Sequence, residues 1–128
     1  MTVEAAQEEA LAVVLRVANT ESALAWYQRL GFRMEYEHSS GPALKDTMAV
    51  ITRGKLALFL SDREEVGRSN VLIYMKVTDL APIANEFGLT PQRLFSGEQL
   101  ELHDPDANRI RIITSDITPR RGRLIGPS

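Results

Sequence analysis

The chain of 128 residues contains no cysteine. Disulfides and thiolate metal sites are therefore excluded. There is no glycine-rich phosphate loop and no Gly-x-Ser-x-Gly elbow, so two common routes to phosphoryl and acyl transfer are absent. No apolar run is long enough to span a bilayer. The formal net charge is only -2, so no broad basic field invites nucleic acid. The opening "MTVEAAQEEA" is acidic and lacks the apolar run of a signal peptide. A cytoplasmic home is expected. Apolar residues make up 44% and charged residues 25%, ordinary values for a globular protein whose length suits one domain.

What is present is periodicity. "LAVVLRV" (11–17) is rich in β-branched residues and reads as a buried strand. In "ANTESALAWYQRLGF", Ala23, Leu24, Trp26, Tyr27 and Leu30 form an apolar stripe at helical spacing. Trp26 and Tyr27 are expected in the core. Asn19 or Thr20 can cap the helix start, and Gly31 suits a left-handed end. Strands follow at 33–38, 47–52 and 55–61, the last two around the tight turn Arg53-Gly54. "DREEVGRSN" (62–70) is a polar connection. "VLIYMKV" (71–77) then restarts the pattern, and 78–89 is again helical, with Asp79 as cap, Pro82 in the first turn and Gly88 at the end. Strands at 92–95, 99–104 and 109–114 complete the second half. Asp104 and Asp106 read as turn formers.

Each half thus reads strand, helix, three strands, and a repeat of that size outweighs any single residue. The expected fold class is α+β. Two βαβββ modules form a curved mixed sheet with the helices on its outer face. Module one covers about 11–61, the linker 62–70, module two about 71–115 and a tail 116–128. The tail includes the basic "PRRGR" (119–123), expected to be solvated.

Alternation assigns the faces, because successive strand residues point to opposite sides. Leu15, Val17, Leu100, Leu102, Ile110 and Ile112 belong to the helix side. The opposite, concave side collects Arg16, Phe59, Tyr74, Glu101, His103 and Arg111. These six are the candidate ligand-binding residues. Their mixture of ring, acid and guanidinium suits a polar organic molecule. The plainer alternative is that Arg16, Glu101 and Arg111 pair with one another or lie on a solvated sheet face. A Glu101–His103 pair on one face also has the makings of acid–base chemistry, although no catalytic residue is identified.

Three stretches carry a family resemblance. "SALAWYQRLGF" resembles the first-helix signature of the vicinal oxygen chelate superfamily, with its aromatic pair before Leu-Gly-Phe. "LELHDPDANRIRI" resembles the closing hairpin of that superfamily, and "VLIYMKVTDL" the strand that opens its second module. The superfamily holds glyoxalases, extradiol dioxygenases, fosfomycin-modifying enzymes and metal-free bleomycin-resistance proteins. One departure is Ala107, where the family turn usually has glycine. The resemblance implies metal-ligand positions near Ala12, Phe59, Leu72 and Arg111. None of these four side chains gives a lone pair to a divalent cation. No metal and no cofactor is expected. His38 and His103 do not make up the missing set.

The resemblance and the missing ligands imply a metal-free protein that binds or sequesters a small molecule, such as an antibiotic. With 6% aromatics and arginine on the concave side, an anionic or zwitterionic ligand is expected rather than a bleomycin-like cation. Arg111, at a metal-ligand position, is the expected anchor. A homodimer without nucleic acid or membrane partners is also implied. Two alternatives stand beside this reading: a metal-independent lyase or isomerase using Glu101 and His103, and a non-catalytic interaction module.

Overall fold

A computed structural model describes residues 3–4, 10–40, 46–63 and 70–115. The lead-in 1–10, the connection 62–70 and the tail 116–128 lie wholly or largely outside the described residues. The first module runs β1 (Val14–Arg16), α1 (Thr20–Arg29), β2 (Arg33–Ser40), β3 (Asp46–Arg53) and β4 (Leu56–Ser61). The second repeats it as β5 (Leu72–Lys76), α2 (Ala81–Phe87), β6 (Gln92–Leu94), β7 (Gly97–His103) and β8 (Arg109–Ile113). The strands form two four-stranded sheets, ordered β1-β4-β3-β2 and β5-β8-β7-β6. The first and last strands of each module pair in parallel, the others antiparallel. This is the expected duplicated βαβββ plan. No helix among the described residues is long and apolar enough to cross a membrane.

Local chemistry sets the helix ends. The Asn19 side chain accepts from the Ser22 N–H at 2.9 Å, satisfying one of the orphan donors of α1. In α2 the cap residue is Leu80, not Asp79. Asp79 still serves the first turn, its Oδ1 accepting from Ala81 N–H at 3.0 Å. Gly88 closes α2 at φ 63°, a left-handed conformation that an L side chain resists. The first strand is shorter than its apolar run suggests. Pairing with β4 begins only at Val14↔Phe59, so Ala12 lies outside the ladder.

Both modules contribute to one core. Leu15, Val17, Ile51 and Leu60 from the first sheet join Leu100, Leu102, Ile110 and Ile112 from the second, each at most 4% exposed. Burial on this scale supplies the main favourable term in folding. The helices meet where the Trp26 and Phe87 ring centroids lie 5.4 Å apart. Arg29 stacks 4.4 Å over Phe87 and bonds Glu86 at 2.9 Å. Tyr27 is a fully buried core residue, as helical spacing implied, while Trp26 is partly buried and packs against that core.

The β7–β8 turn holds a strained residue. Asp104 Oδ1 accepts from the N–H groups of Asp106 and Asn108 at 2.8 and 2.9 Å, and Ala107 N–H closes back on Asp104 O at 3.1 Å. This geometry puts Ala107 at φ 64°. There its Cβ crowds the backbone, where glycine carries none. We expect Ala107→Gly to stabilise the protein by about 0.5–1 kcal/mol, the relief of strain outweighing the added freedom of the unfolded chain. A urea midpoint that falls or stays put in the variant would refute the strain.

Candidate functional site

Register places three side chains in one row across the second sheet. Tyr74 pairs with Arg111, and Arg111 with Glu101. Strand spacing of about 4.8 Å puts such neighbours in reach of one another. Arg111 Nε and Nη2 both donate to Glu101 Oε1, at 3.0 and 2.8 Å. Arg111 Nη1 donates to the Tyr74 hydroxyl at 2.6 Å, and the guanidinium carbon lies 5.3 Å from the Tyr74 ring centroid. The next row sets His103 beside Arg109. His103 Nε2 lies 3.3 Å from Glu101 Oε2, so Glu101 joins the two rows. The opposite faces of the same strands, Ile110, Ile112, Leu100 and Leu102, are buried.

These contacts define the electrostatics. The Arg111 hydrogen bonds hold the Glu101 carboxyl below the usual carboxylate range against the opposing effect of desolvation; the Arg111 charge, His103 and Arg109 add to the lowering. Glu101 is therefore an anion at neutral pH and a poor general base. Its charge balances Arg111. The cluster presents paired charges, with Tyr74 and His103 at its ends. Tyr74 also borders an apolar cleft of ≈ 210 Å³ between β4 and β5, with Tyr27, Leu58, Ile73 and Met75 among its walls.

The structure joins four of the six expected site residues: Tyr74, Glu101, His103 and Arg111. Arg16 and Phe59 belong to the other sheet, on the face away from its buried leucines. There Val14, Phe59, Val50 and Tyr36 form one row, and Arg16, Ser61, Met48 and His38 the next. Arg111, expected to anchor a ligand, directs three donor atoms to Glu101 and Tyr74. The pairing that strand alternation left open for Arg111 and Glu101 is realised.

A divalent metal does not fit the positions that the resemblance implies. Phe59 and Leu72 offer hydrocarbon, Ala12 lies outside β1, and Arg111 is a cation bonded to Glu101. His38 and His103 stand on different sheets. Among the described residues no group of three or more His, Asp or Glu side chains is placed to hold a metal ion.

Sequence reasoning missed a second cluster behind the site. Asp104 is only 5% exposed, and its Oδ2 accepts from the Tyr27 hydroxyl at 2.8 Å and from Asn108 Nδ2 at 2.9 Å. Burial, then the Asp104 charge, pushes the Tyr27 phenol far above its ordinary range. Asn108 is fully buried; its Oδ1 accepts from Val71 N–H at 3.1 Å, and its Nδ2 reaches Arg16 O at 3.4 Å. Asp106 Oδ1 accepts from Ala18 N–H at 2.8 Å. The turn thereby ties β5 and β8 to the end of β1 and to α1. Asp-Pro-Asp signalled a turn, but nothing in the sequence paired it with Tyr27.

No known family model matches the sequence, and no curated protein does either. Solved structures do. A bleomycin-binding protein determined in complex with bleomycin matches 84% of this chain and 99% of its own, at 20% identity and TM-score 0.64. A bleomycin resistance determinant encoded on the transposon Tn5 matches 84% and 98%, at 20% identity and TM-score 0.66. An antibiotic binding protein from Streptomyces sp. CB03234 matches 91% and 99%, at 20% identity and TM-score 0.66. The chain shares the fold of these three proteins.

Proposed function

We propose that this chain is a metal-free, cytoplasmic protein that binds and sequesters a polar small molecule, acting as a homodimer. The observation that carries the reading is the Tyr74–Arg111–Glu101–His103 cluster. A guanidinium bonded to a carboxylate stands at a position that the family resemblance assigns to a metal ligand, and Tyr74 of the same cluster also borders an apolar cleft. Polar groups that fix orientation next to an apolar recess are the usual makings of a ligand site. The three solved neighbours, which bind bleomycin, bear a bleomycin-resistance determinant's name or bind an antibiotic, support binding over catalysis. So does the lowered Glu101 carboxyl, which weakens the alternative of a metal-free lyase or isomerase. Fixed paired charges suit a zwitterionic or anionic ligand better than a simple cation.

What the faces expose supports the dimer. Val14 is 40% exposed, Tyr36 57%, Leu72 37% and Tyr74 37%, all on the sheet faces turned from the core. Apolar side chains in that number on a would-be site favour enclosure by a second copy, and a two-fold pair is the commonest way to supply it.

The test is one preparation with three measurements. Elemental analysis should find no stoichiometric metal. Sedimentation at micromolar concentration should give a dimer. Hits from a thermal-shift panel of polar metabolites and antibiotics should be recovered chemically unchanged from the complex. One equivalent of zinc, iron or manganese whose removal lowers the melting temperature would overturn the metal-free reading. A monomer would overturn the dimer, and conversion of a hit to product would overturn sequestration.

A further inference from the structure

Among the described residues the Arg16 guanidinium has no protein partner, whereas that of Arg111 is bonded to Glu101 and Tyr74. Arg16 is partly buried, and its Nε is shielded from solvent with no hydrogen-bond acceptor among the described residues. No carboxylate among the described residues pairs with it. A shielded charged donor without an acceptor is costly, and native structures rarely retain one without a reason. Arginine stays charged, so it cannot escape that cost by losing its proton.

A second donor stands beside it. Arg16 and Ser61 are partners in the parallel β1–β4 register, so their side chains share one face. Ser61 is 1% exposed, and its Oγ accepts from Arg63 N–H at 3.3 Å. Among the described residues nothing takes the proton of that hydroxyl. Two uncommitted donors, one of them cationic, therefore lie side by side. Next to them, Val14, Phe59, Val50 and Tyr36 form an unbroken apolar row across the sheet. Phe59 and Val50 are partly covered, and Val14 and Tyr36 are open.

We infer that the first sheet's face turned away from the helices binds an organic oxyanion, with the anionic group on Arg16 Nε–H and the Ser61 hydroxyl and an apolar body along Val14, Phe59, Val50 and Tyr36. This rests on the proposed ligand-binding function and gives it a chemical class. A carboxylate and a phosphate ester both meet the donor requirement, since each offers two or more oxygens to a guanidinium and a neighbouring hydroxyl. The Arg111 guanidinium differs in that its charge is paired with Glu101 and three of its N–H donors are engaged.

The experiment uses the full chain with 2-naphthoate, 2-naphthyl phosphate and the neutral 2-naphthamide, read by calorimetry and thermal shift. At least one of the two acids should bind more tightly than the amide, with affinity falling as salt rises; which acid wins identifies the oxyanion. Arg16→Gln should weaken acid binding by at least about tenfold, the loss of one charge-assisted bond, and weaken amide binding by a clearly smaller factor. Ser61→Ala should weaken it by a smaller factor, and Arg16→Lys should restore part of the loss. If the amide binds as well as the acids, or Arg16→Gln binds acids like the parent, the oxyanion site is wrong while ligand binding stands. If Arg16→Gln shifts the dimer to monomer, Arg16 pairs with a carboxylate of a second copy and the site is again wrong. If neither these probes nor any member of the wider panel binds, the ligand-binding reading fails with it.

Discussion

Asp104→Ala is expected to destabilise the protein by about 3–5 kcal/mol, because it strips a buried charge from groups that cannot find other partners. Four donors converge on that carboxylate: the Tyr27 hydroxyl, Asn108 Nδ2, and the N–H groups of Asp106 and Asn108. Tyr27 and Asn108 are both fully buried, so water does not replace the lost bonds. The damage also spreads, since the same turn carries the contacts to Val71, Arg16 and Ala18. Tyr27→Phe removes one of the four bonds and keeps the ring in the core. Its cost should be smaller, about 1.5–3 kcal/mol for a hydrogen bond to a charged group. Urea unfolding of both variants checks the pair. A loss below about 1 kcal/mol for Asp104→Ala would mean that the network is incidental to stability.

The second large effect separates packing from recognition on a single strand. Ile112 is fully buried, with Met75 and Leu100 as its neighbours across β5 and β7. Ile112→Ala should cost about 2–5 kcal/mol, the transfer of the lost groups plus the cavity they leave. The adjacent Arg111 points to the other face, and its side chain remains 24% exposed. Arg111→Ala should cost only about 1 kcal/mol, since its ion pair with Glu101 is partly solvated. It should also free Glu101 from its main partner and raise that carboxyl toward the ordinary range. Melting curves that rank Arg111→Ala as the more damaging change would make the cluster a structural prop.

The division of each strand into two faces was legible because it depends on alternation alone. Arg109 and Arg111 against Ile110 and Ile112 required no tertiary knowledge, and the isoleucines are buried at 2% and 0% exposure. The ends of the helices were legible for a similar reason. Asn19 and Gly88 act on backbone groups within a few residues of themselves. Asp79 shows the limit of that argument: its bond to Ala81 formed, but Leu80 occupies the cap, because an Asp one residue further out still reaches the same N–H. The end of β1 was not legible. "LAVVLRV" has strand character throughout, yet only Val14–Arg16 form a strand. β4 reaches back to Leu56 and Phe59 N–H still bonds Val13 O, so β1 begins where the chain converges on β4, which composition does not record.

The sequence by itself determined the repeat, the two βαβββ modules, the core face of each strand and the absence of thiolate chemistry. All of these follow from local periodicity or from which atoms the chain contains. Tertiary structure alone decided which candidate groups meet. Tyr27 and Asp104 are 77 positions apart, and Arg111 and Tyr74 are 37 apart. Only strand register and helix packing set those pairs within hydrogen-bonding distance. The same register commits Arg111 to Glu101 and places Arg16 beside Ser61 with a donor to offer. Two arginines that look alike in the sequence thus differ in their partners, because a hydrogen bond depends on the distance between groups in space and not along the chain.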